Sequence, residues 1–107
     1  MRKELESVYK RAVDIWGVEI QMGMMIEEAA ELIQAISKYK RAHDKSDEIK
    51  QDAYNHVCEE VADVENMIDQ MRYMLDDKTI DIYKEQKLER TLEKIIKLEN
   101  EQRNKKN

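Results

Sequence analysis

Apolar residues recur at helical spacing along most of the chain. A first amphipathic helix is predicted to end near Gly17, with apolar positions three and four residues apart at Leu5, Val8, Tyr9, Ala12, Ile15 and Trp16. A second is predicted from about Val18 to Ala42, with a broad apolar face of Met22, Met25, Ala29, Leu32, Ile33 and Ile36. A third has the clearest pattern, at Val57, Val61, Val64, Ile68, Met71 and Leu75.

Polar segments separate these helices from one another and from a fourth. Residues 43–52 contain one apolar residue, Ile49, so they predict a polar connection with a turn begun by Ser46. Residues 76–79 form a second polar break, at which Asp77 or Thr79 is expected to cap the fourth helix. That helix displays Leu88, Leu92, Ile95 and Leu98. Four helices, no Pro and two Gly predict an all-α fold in a single domain, residues 1–107.

Composition adds the nature of the core and limits the partners. Hydrophobic residues make up 41% with no Phe, which predicts an aliphatic, methionine-rich core, and long helices in so short a chain favour completing that core by homo-oligomerisation. The net charge of -5 disfavours a nucleic-acid polymer as partner. Cys58 is the single cysteine, and neither a signal peptide nor a membrane-spanning apolar run is present, so we expect a cytoplasmic protein without membrane contact.

Pairs of acidic residues three apart carry the candidate chemistry, although their spacing alone proves nothing. With 24 acids in 107 residues, roughly five such pairs are expected by chance. Three occur: Glu28/Glu31, Asp44/Asp47 and Glu60/Asp63. The second pair lies in the polar connection and needs no explanation, so the argument depends on where the other two pairs lie on their helices.

A helical projection places one acid of each remaining pair inside an apolar stripe. Glu28 falls within about 60° of Leu32, Met25, Ala35 and Met24, and Glu60 falls between Met67 and Met71. Glu31 and Asp63 lie at the borders of these stripes, whereas Glu27 turns outward. A carboxylate in a packing seam costs several kcal/mol unless it is compensated, and neither stripe offers a nearby basic residue. Ligands that are all oxygen indicate a hard cation, Mg²⁺ or Mn²⁺, which commonly serves phosphate substrates.

At these residues the sequence resembles the MazG-like, all-α nucleoside triphosphate pyrophosphohydrolase superfamily. Its signature EExxE followed by ExxD is present as Glu27-Glu28-Ala-Ala-Glu31 and Glu60-Val-Ala-Asp63. The resemblance spans about Trp16 to Leu75, with a long gap between the two motifs, and it implies a four-helix MazG-like bundle that assembles as a homodimer or dimer of dimers. It further implies Mg²⁺-dependent hydrolysis of a (deoxy)nucleoside triphosphate to the monophosphate and pyrophosphate, in nucleotide-pool house-cleaning.

The same resemblance assigns roles to residues. It implies that Glu28, Glu31, Glu60 and Asp63 are the metal ligands. Glu27 is a candidate for orienting or deprotonating the attacking water, with a solvated helix face as the equal alternative. Relatives often carry a basic residue shortly before the first motif, whereas this chain has Met24-Met25-Ile26 there. Phosphate contacts must then come from elsewhere, with Lys38, Arg41, Lys87 and Arg90 as candidates, although a solvated helix face is the commoner place for each. Candidates for base contacts are Trp16, Tyr39, Asn66 and Tyr73, with a core position as the commoner outcome for Trp16.

Other classes of protein remain as alternatives. A di-iron bundle would need Glu-x-x-His pairs, which the chain lacks, and a zinc site lacks its Cys/His set. His56 lies four residues before Glu60 and could share a metal with it, although a partly exposed histidine near a helix start is the commoner outcome. A non-enzymatic helical interaction module, whose buried acids set helix register, is the main rival, and an inactive metal-binding relative is a third possibility.

Overall fold

The computed structural model describes residues 3–106, and within that range it contains helices and no strand. The all-α prediction is therefore confirmed. The α-helices are α1 (Lys3–Glu6), α2 (Val8–Trp16), α3 (Val18–Arg41), α4 (Asp47–Met74) and α5 (Asp77–Lys106), with a 3₁₀ turn at Ala42–Asp44 between α3 and α4. None of the helices in this range is both long and apolar enough to span a membrane.

Gly17 ends α2 and allows α3 to begin one residue later. Its φ of 85° lies in the left-handed region, which favours glycine because residues with a Cβ are strained there. Its N–H donates to the carbonyl of Val13 at 2.8 Å, and its own carbonyl accepts from the Gln21 N–H at 3.1 Å. The predicted helix end at Gly17 is confirmed, and the chain changes direction there without a loop.

The connection between α3 and α4 is shorter than the polar segment 43–52 predicted for it. The 3₁₀ turn, Lys45 and Ser46 make the whole connection, and residues 47–52 belong to α4. The reason is capping: the Ser46 hydroxyl accepts a hydrogen bond from the Ile49 N–H at 3.3 Å, and Asp47 and Glu48 suit the positive end of the helix dipole. Residues 47–52 lack large apolar side chains, apart from Ile49, because they form the exposed first turns of α4. The prediction that they form a connection was wrong.

The helices α3 and α4 pack as an antiparallel hairpin, and α2 contacts both. Small residues allow the close approach, since Ala35 and Ala53 are buried at the hairpin and Ala12 is buried on α2. In the described range, the buried apolar residues are alanines and the methionines are half-buried, so the predicted methionine-rich core is not found there. Within residues 3–75, two long helices and one short helix provide no third layer to cover the larger apolar side chains.

A buried amide and a carboxylate of α4 attach α2 to the hairpin. Gln70 on α4 is 3% exposed and donates from Nε2 to the carbonyl of Tyr9 at 2.8 Å. One residue earlier, Asp69 accepts a hydrogen bond from the Tyr9 hydroxyl at 3.2 Å. A net gain of about 1 kcal/mol is typical of a buried hydrogen bond, so these contacts orient α2 where apolar burial is sparse.

The chain divides into two compact units, one ending at Leu75 and the other beginning at Asp76. The second unit is α5, whose Leu88, Leu92 and Ile95 are exposed. Asp76 caps this helix, accepting from the N–H groups of Lys78 (3.1 Å) and Thr79 (3.3 Å), so the predicted caps Asp77 and Thr79 were wrong by one residue or more. Bonds from Thr79 lower the pKa of Asp76 below its ordinary value. The single domain 1–107 remains a prediction.

Candidate metal centre

Three carboxylates meet where the middle of α3 faces the middle of α4. Glu60 is 8% exposed, Glu28 is half-buried and Asp63 is exposed. One carboxylate oxygen from each of the three lies within 4.8 Å of the others. The helical projection predicted that Glu28 and Glu60 point into the seam between helices, and the antiparallel packing places them opposite each other.

Two oxygens in this cluster are buried without a partner. They are Oε2 of Glu28 and Oε2 of Glu60, and neither accepts a hydrogen bond. A desolvated carboxylate oxygen left in this state costs several kcal/mol, because water is lost and nothing replaces it. A divalent cation held by Glu28, Glu60 and Asp63 would supply the positive charge that these buried oxygens lack. The donors are all carboxylate oxygens, which fits Mg²⁺ or Mn²⁺ better than a softer metal.

The electrostatics of Glu28 show how closely the acids are placed. Burial raises the pKa of Glu28 above its ordinary value, and the negative charges of Glu31, Asp63 and Glu60 raise it further. A hydrogen bond with Glu31 acts in the same direction. Burial and these neighbouring charges thus disfavour the ionised form of Glu28, and a bound cation would reverse that preference.

His56 contacts the cluster from one turn earlier on α4. Its Nε2 lies 3.3 Å from Oε1 of Glu60, while the side chain is 49% exposed. This contact accounts for one oxygen of Glu60 and leaves the buried Oε2 free. The structure brings these two residues together, with His56 contacting the carboxylate from the solvent side, and a metal shared by them stays a prediction.

The remaining acids of the two motifs lie at the edge of the cluster. Glu31 is exposed and lies close enough to Glu28 to influence its pKa, but it is not one of the three carboxylates that lie within 4.8 Å of one another. Its role as a fourth ligand stays a prediction. Glu27 is exposed on α3, as projected, and its role toward water also stays a prediction.

A groove lies beside the cluster on the side of the α3 C-terminus. We call it the basic groove, because Lys38 and Arg41 line it; the cluster residue Glu60, the neighbouring Glu31 and His56 line it as well. Its volume is about 840 Å³. Of the four basic residues considered for phosphate contacts, Lys38 and Arg41 are the two that this groove shares with the carboxylates.

A second groove lies between α2 and the opposite end of the hairpin. We call it the apolar groove; its volume is about 410 Å³, and its lining includes Trp16, Met24, Asn66 and Met67. Trp16 is 51% exposed, so the core position considered for it is not what the structure shows. Two of the predicted base-contacting residues, Trp16 and Asn66, therefore share one surface.

Sequence reasoning missed the two buried amides at this groove, Gln21 and Gln70. Gln21 is 2% exposed and donates from Nε2 to the Met24 sulfur at 3.3 Å. The signal was available, since Gln21 lies two helical turns before Glu28 and so on the same face of α3. The position of Gln21 on the same face as Glu28 could therefore have predicted that its side chain is buried.

The other predicted substrate contacts are placed elsewhere. Tyr39 packs against Tyr54 at the tip of the hairpin, with ring centroids 6.1 Å apart, in a groove that Lys40 and His43 also line. Lys87 is on α5, in the second unit, and its predicted contact with phosphate stays a prediction.

No protein-family model, curated protein or solved structure matches this chain. Function is therefore inferred from the carboxylate cluster, the two grooves and the sequence motifs.

Proposed function

We propose that the protein is a Mg²⁺-dependent nucleoside triphosphate pyrophosphohydrolase of the MazG-like type, acting on a (deoxy)nucleoside triphosphate. The observation that carries the proposal is the pair of buried, unpartnered carboxylate oxygens of Glu28 and Glu60 beside Asp63. The donor set fits a hard divalent cation, and such cations typically serve phosphate chemistry. The two grooves on either side of the cluster give a triphosphate room to lie across it.

The proposed reaction adds water to the α-phosphorus and breaks its bond to the oxygen bridging to the β-phosphorus. The products are the monophosphate and pyrophosphate, and the proton lost by water passes to solvent or to a nearby carboxylate. Bound Mg²⁺ supplies charge neutralisation of the triphosphate and acidification of water. Glu28, Glu60 and Asp63 would hold the cation, with Glu31 as the fourth ligand.

Glu27 is the proposed residue for orienting or deprotonating the water. Its exposure leaves it accessible to solvent, and it precedes Glu28 directly in the chain. Glu27→Gln keeps the shape of the side chain and removes its basicity, so it should lower kcat by about 10²-fold or more while leaving metal affinity unchanged. If Glu27→Gln lowered metal affinity together with kcat, Glu27 would instead be a fifth ligand of the metal.

Self-association into a homodimer or a dimer of dimers belongs to the same proposal. The apolar residues of the hairpin include Ile26, 70% exposed, and Ile33, 66% exposed, whereas the buried apolar residues of the described range are small. Exposed apolar area of this kind is typical of an interaction surface. A second copy would complete the aliphatic core that the composition predicts.

Incubation with a panel of dNTPs and NTPs plus Mg²⁺, with pyrophosphate measured separately from phosphate, tests the activity directly. We expect pyrophosphate and monophosphate from wild type and none from Glu60→Gln. Glu59→Gln is the matched control, because it makes the same substitution at the exposed residue next to Glu60. Release of phosphate with diphosphate would assign the site to a different phosphohydrolase.

A non-enzymatic interaction module is the second candidate, favoured by the exposed apolar residues. It predicts that Glu60→Leu preserves every function and stabilises the protein, because a buried acid would then serve helix register alone. Absence of turnover for all nucleotides with Mg²⁺, Mn²⁺ and Co²⁺ would favour this candidate. Metal binding that persists without turnover would indicate an inactive relative.

A further inference from the structure

Three chemically different surfaces follow one another along the α3–α4 hairpin. Going along α3, the apolar groove includes Met24, the carboxylate cluster includes Glu28, and the basic groove includes Lys38. The antiparallel α4 repeats this order in reverse, with Asn66 in the apolar groove and His56 in the basic groove. The site therefore has a direction along the hairpin.

We propose that the basic groove binds the pyrophosphate end of the substrate, with Lys38 and Arg41 contacting the β- and γ-phosphates. This inference rests on the proposed function and deepens it by fixing the orientation of the triphosphate. Lys38 and Arg41 are three residues apart, so they are neighbours on one face of α3, separated by a rise of about 4.5 Å. The β- and γ-phosphates can then each contact one of these two positively charged side chains.

The acids of the groove fix which phosphate lies where. Glu31 and Glu60 line the end of the basic groove that joins the cluster. Unshielded carboxylates repel phosphate, so only the phosphate bridged to them by a cation can lie there. The β- and γ-phosphates extend away from the acids toward Lys38 and Arg41, which leaves the α-phosphorus at the cluster, and the nucleoside points toward Trp16 and the apolar groove.

Binding at this end of α3 must depend on the two side chains, because the backbone opposes it. The last carbonyls of a helix carry partial negative charge, so the C-terminus of α3 repels an anion. Lys38 and Arg41 are therefore required for the phosphate contact, and charge-assisted bonds to phosphate are stronger than neutral ones. A nucleoside triphosphate should consequently bind more tightly than the diphosphate, and the diphosphate more tightly than the monophosphate.

Calorimetric titration with inorganic pyrophosphate in the presence of Mg²⁺ tests the groove without requiring turnover. Each lost charge-assisted contact should weaken binding about tenfold, so Lys38→Ala/Arg41→Ala should weaken pyrophosphate binding about 100-fold. Lys40→Ala/Lys45→Ala is the matched control: it removes two exposed cations near the same helix end, and Lys40 lines the groove at the hairpin tip. The control should stay within about twofold of wild type.

Further measurements separate binding from folding. Thermal unfolding by circular dichroism should show both double variants folded, and Lys38→Arg should retain affinity because it preserves the charge. In steady-state assays the double variant should raise KM for the triphosphate and abolish the preference for triphosphate over diphosphate.

The outcomes distinguish this inference from the proposed function. Wild type that binds pyrophosphate through Lys38 and Arg41 but hydrolyses no nucleotide would refute the proposed activity and support a polyphosphate site. Wild type that hydrolyses nucleotides while the Lys38/Arg41 double variant keeps its pyrophosphate affinity and KM would overturn the inference alone. Failure of wild type to bind pyrophosphate with Mg²⁺ would also overturn it.

Discussion

Replacing Glu60 with leucine tests whether the carboxylate cluster is a metal site, because metal binding and stability should change in opposite directions. Glu60 is 8% exposed, and its Oε2 has no hydrogen-bond partner. Leucine has a similar volume and nothing to desolvate. His56 loses its contact with Oε1 of Glu60, but it is half exposed and can be hydrated, so little stability is lost there.

The expected magnitudes follow from this burial. Replacing a buried charge by a packed apolar side chain is typically worth about 1–4 kcal/mol, so metal-free Glu60→Leu should be more stable than metal-free wild type by that amount. In wild type, metal at 100 times its Kd should add about 2.7 kcal/mol, which corresponds to roughly 11–22 °C in Tm for a chain near 100 residues. Glu60→Leu should gain almost none of this metal-dependent stabilisation.

Thermal unfolding with and without Mg²⁺ or Mn²⁺ measures both effects in one experiment. Glu59→Leu is the control, since it makes the same substitution at an exposed position of the same helix turn. It should retain the metal-dependent shift in Tm. The metal assignment is refuted if wild type shows no shift at millimolar metal, or if Glu60→Leu shifts as much as wild type.

Three further predictions concern the same hairpin. In metal-free protein the stability contributed by Glu28 should be fully present below about pH 4.5 and should be lost as pH rises through its raised pKa, because the native state holds that proton longer; Glu28→Gln should remove this contribution to the pH dependence of urea unfolding. Gln70→Leu should cost about 1–2 kcal/mol in urea unfolding, since it breaks the 2.8 Å bond to the Tyr9 carbonyl; an unchanged midpoint would mean that α2 is held by other contacts. Ala35→Leu should cost about 1–3 kcal/mol by overpacking the α3–α4 contact, whereas Ala30→Leu, at an exposed position, should cost little.

Helix content and the central acids could be predicted because both depend on periodicity along one chain segment. Spacing of apolar residues located the break at Gly17 and the C-terminal ends of α3 and α4 to within a residue or two, whereas the predicted start of α4 was too late by several residues. The same projection placed Glu28 and Glu60 in the helix seam. Periodicity did not predict that the two acids meet, because that depends on the antiparallel packing of α3 and α4, which the structure shows.

Features that depend on one hydrogen bond or on the partner surface could not be predicted in this way. The polar segment 43–52 has loop composition, yet the Ser46 cap turns its second half into α4. Asp76, rather than Asp77 or Thr79, caps α5, because the choice among adjacent polar residues depends on backbone conformation. That small residues become buried, and not the larger apolar ones, could also not be predicted, since burial depends on how many helices the chain can bring together.

Metal binding and self-association, both proposed above, would be coupled by the same shortage of core. Ile33 lines the basic groove and is exposed, so any copy that covers the apolar face of α3 would come close to the carboxylate cluster. Further burial would raise the cost of the unpartnered oxygens of Glu28 and Glu60, unless a cation neutralises them. A cation at the cluster would therefore favour association, and by reciprocity association would favour cation binding. Under these proposals the acids in the seam would oppose tight packing without the cation and permit it with the cation.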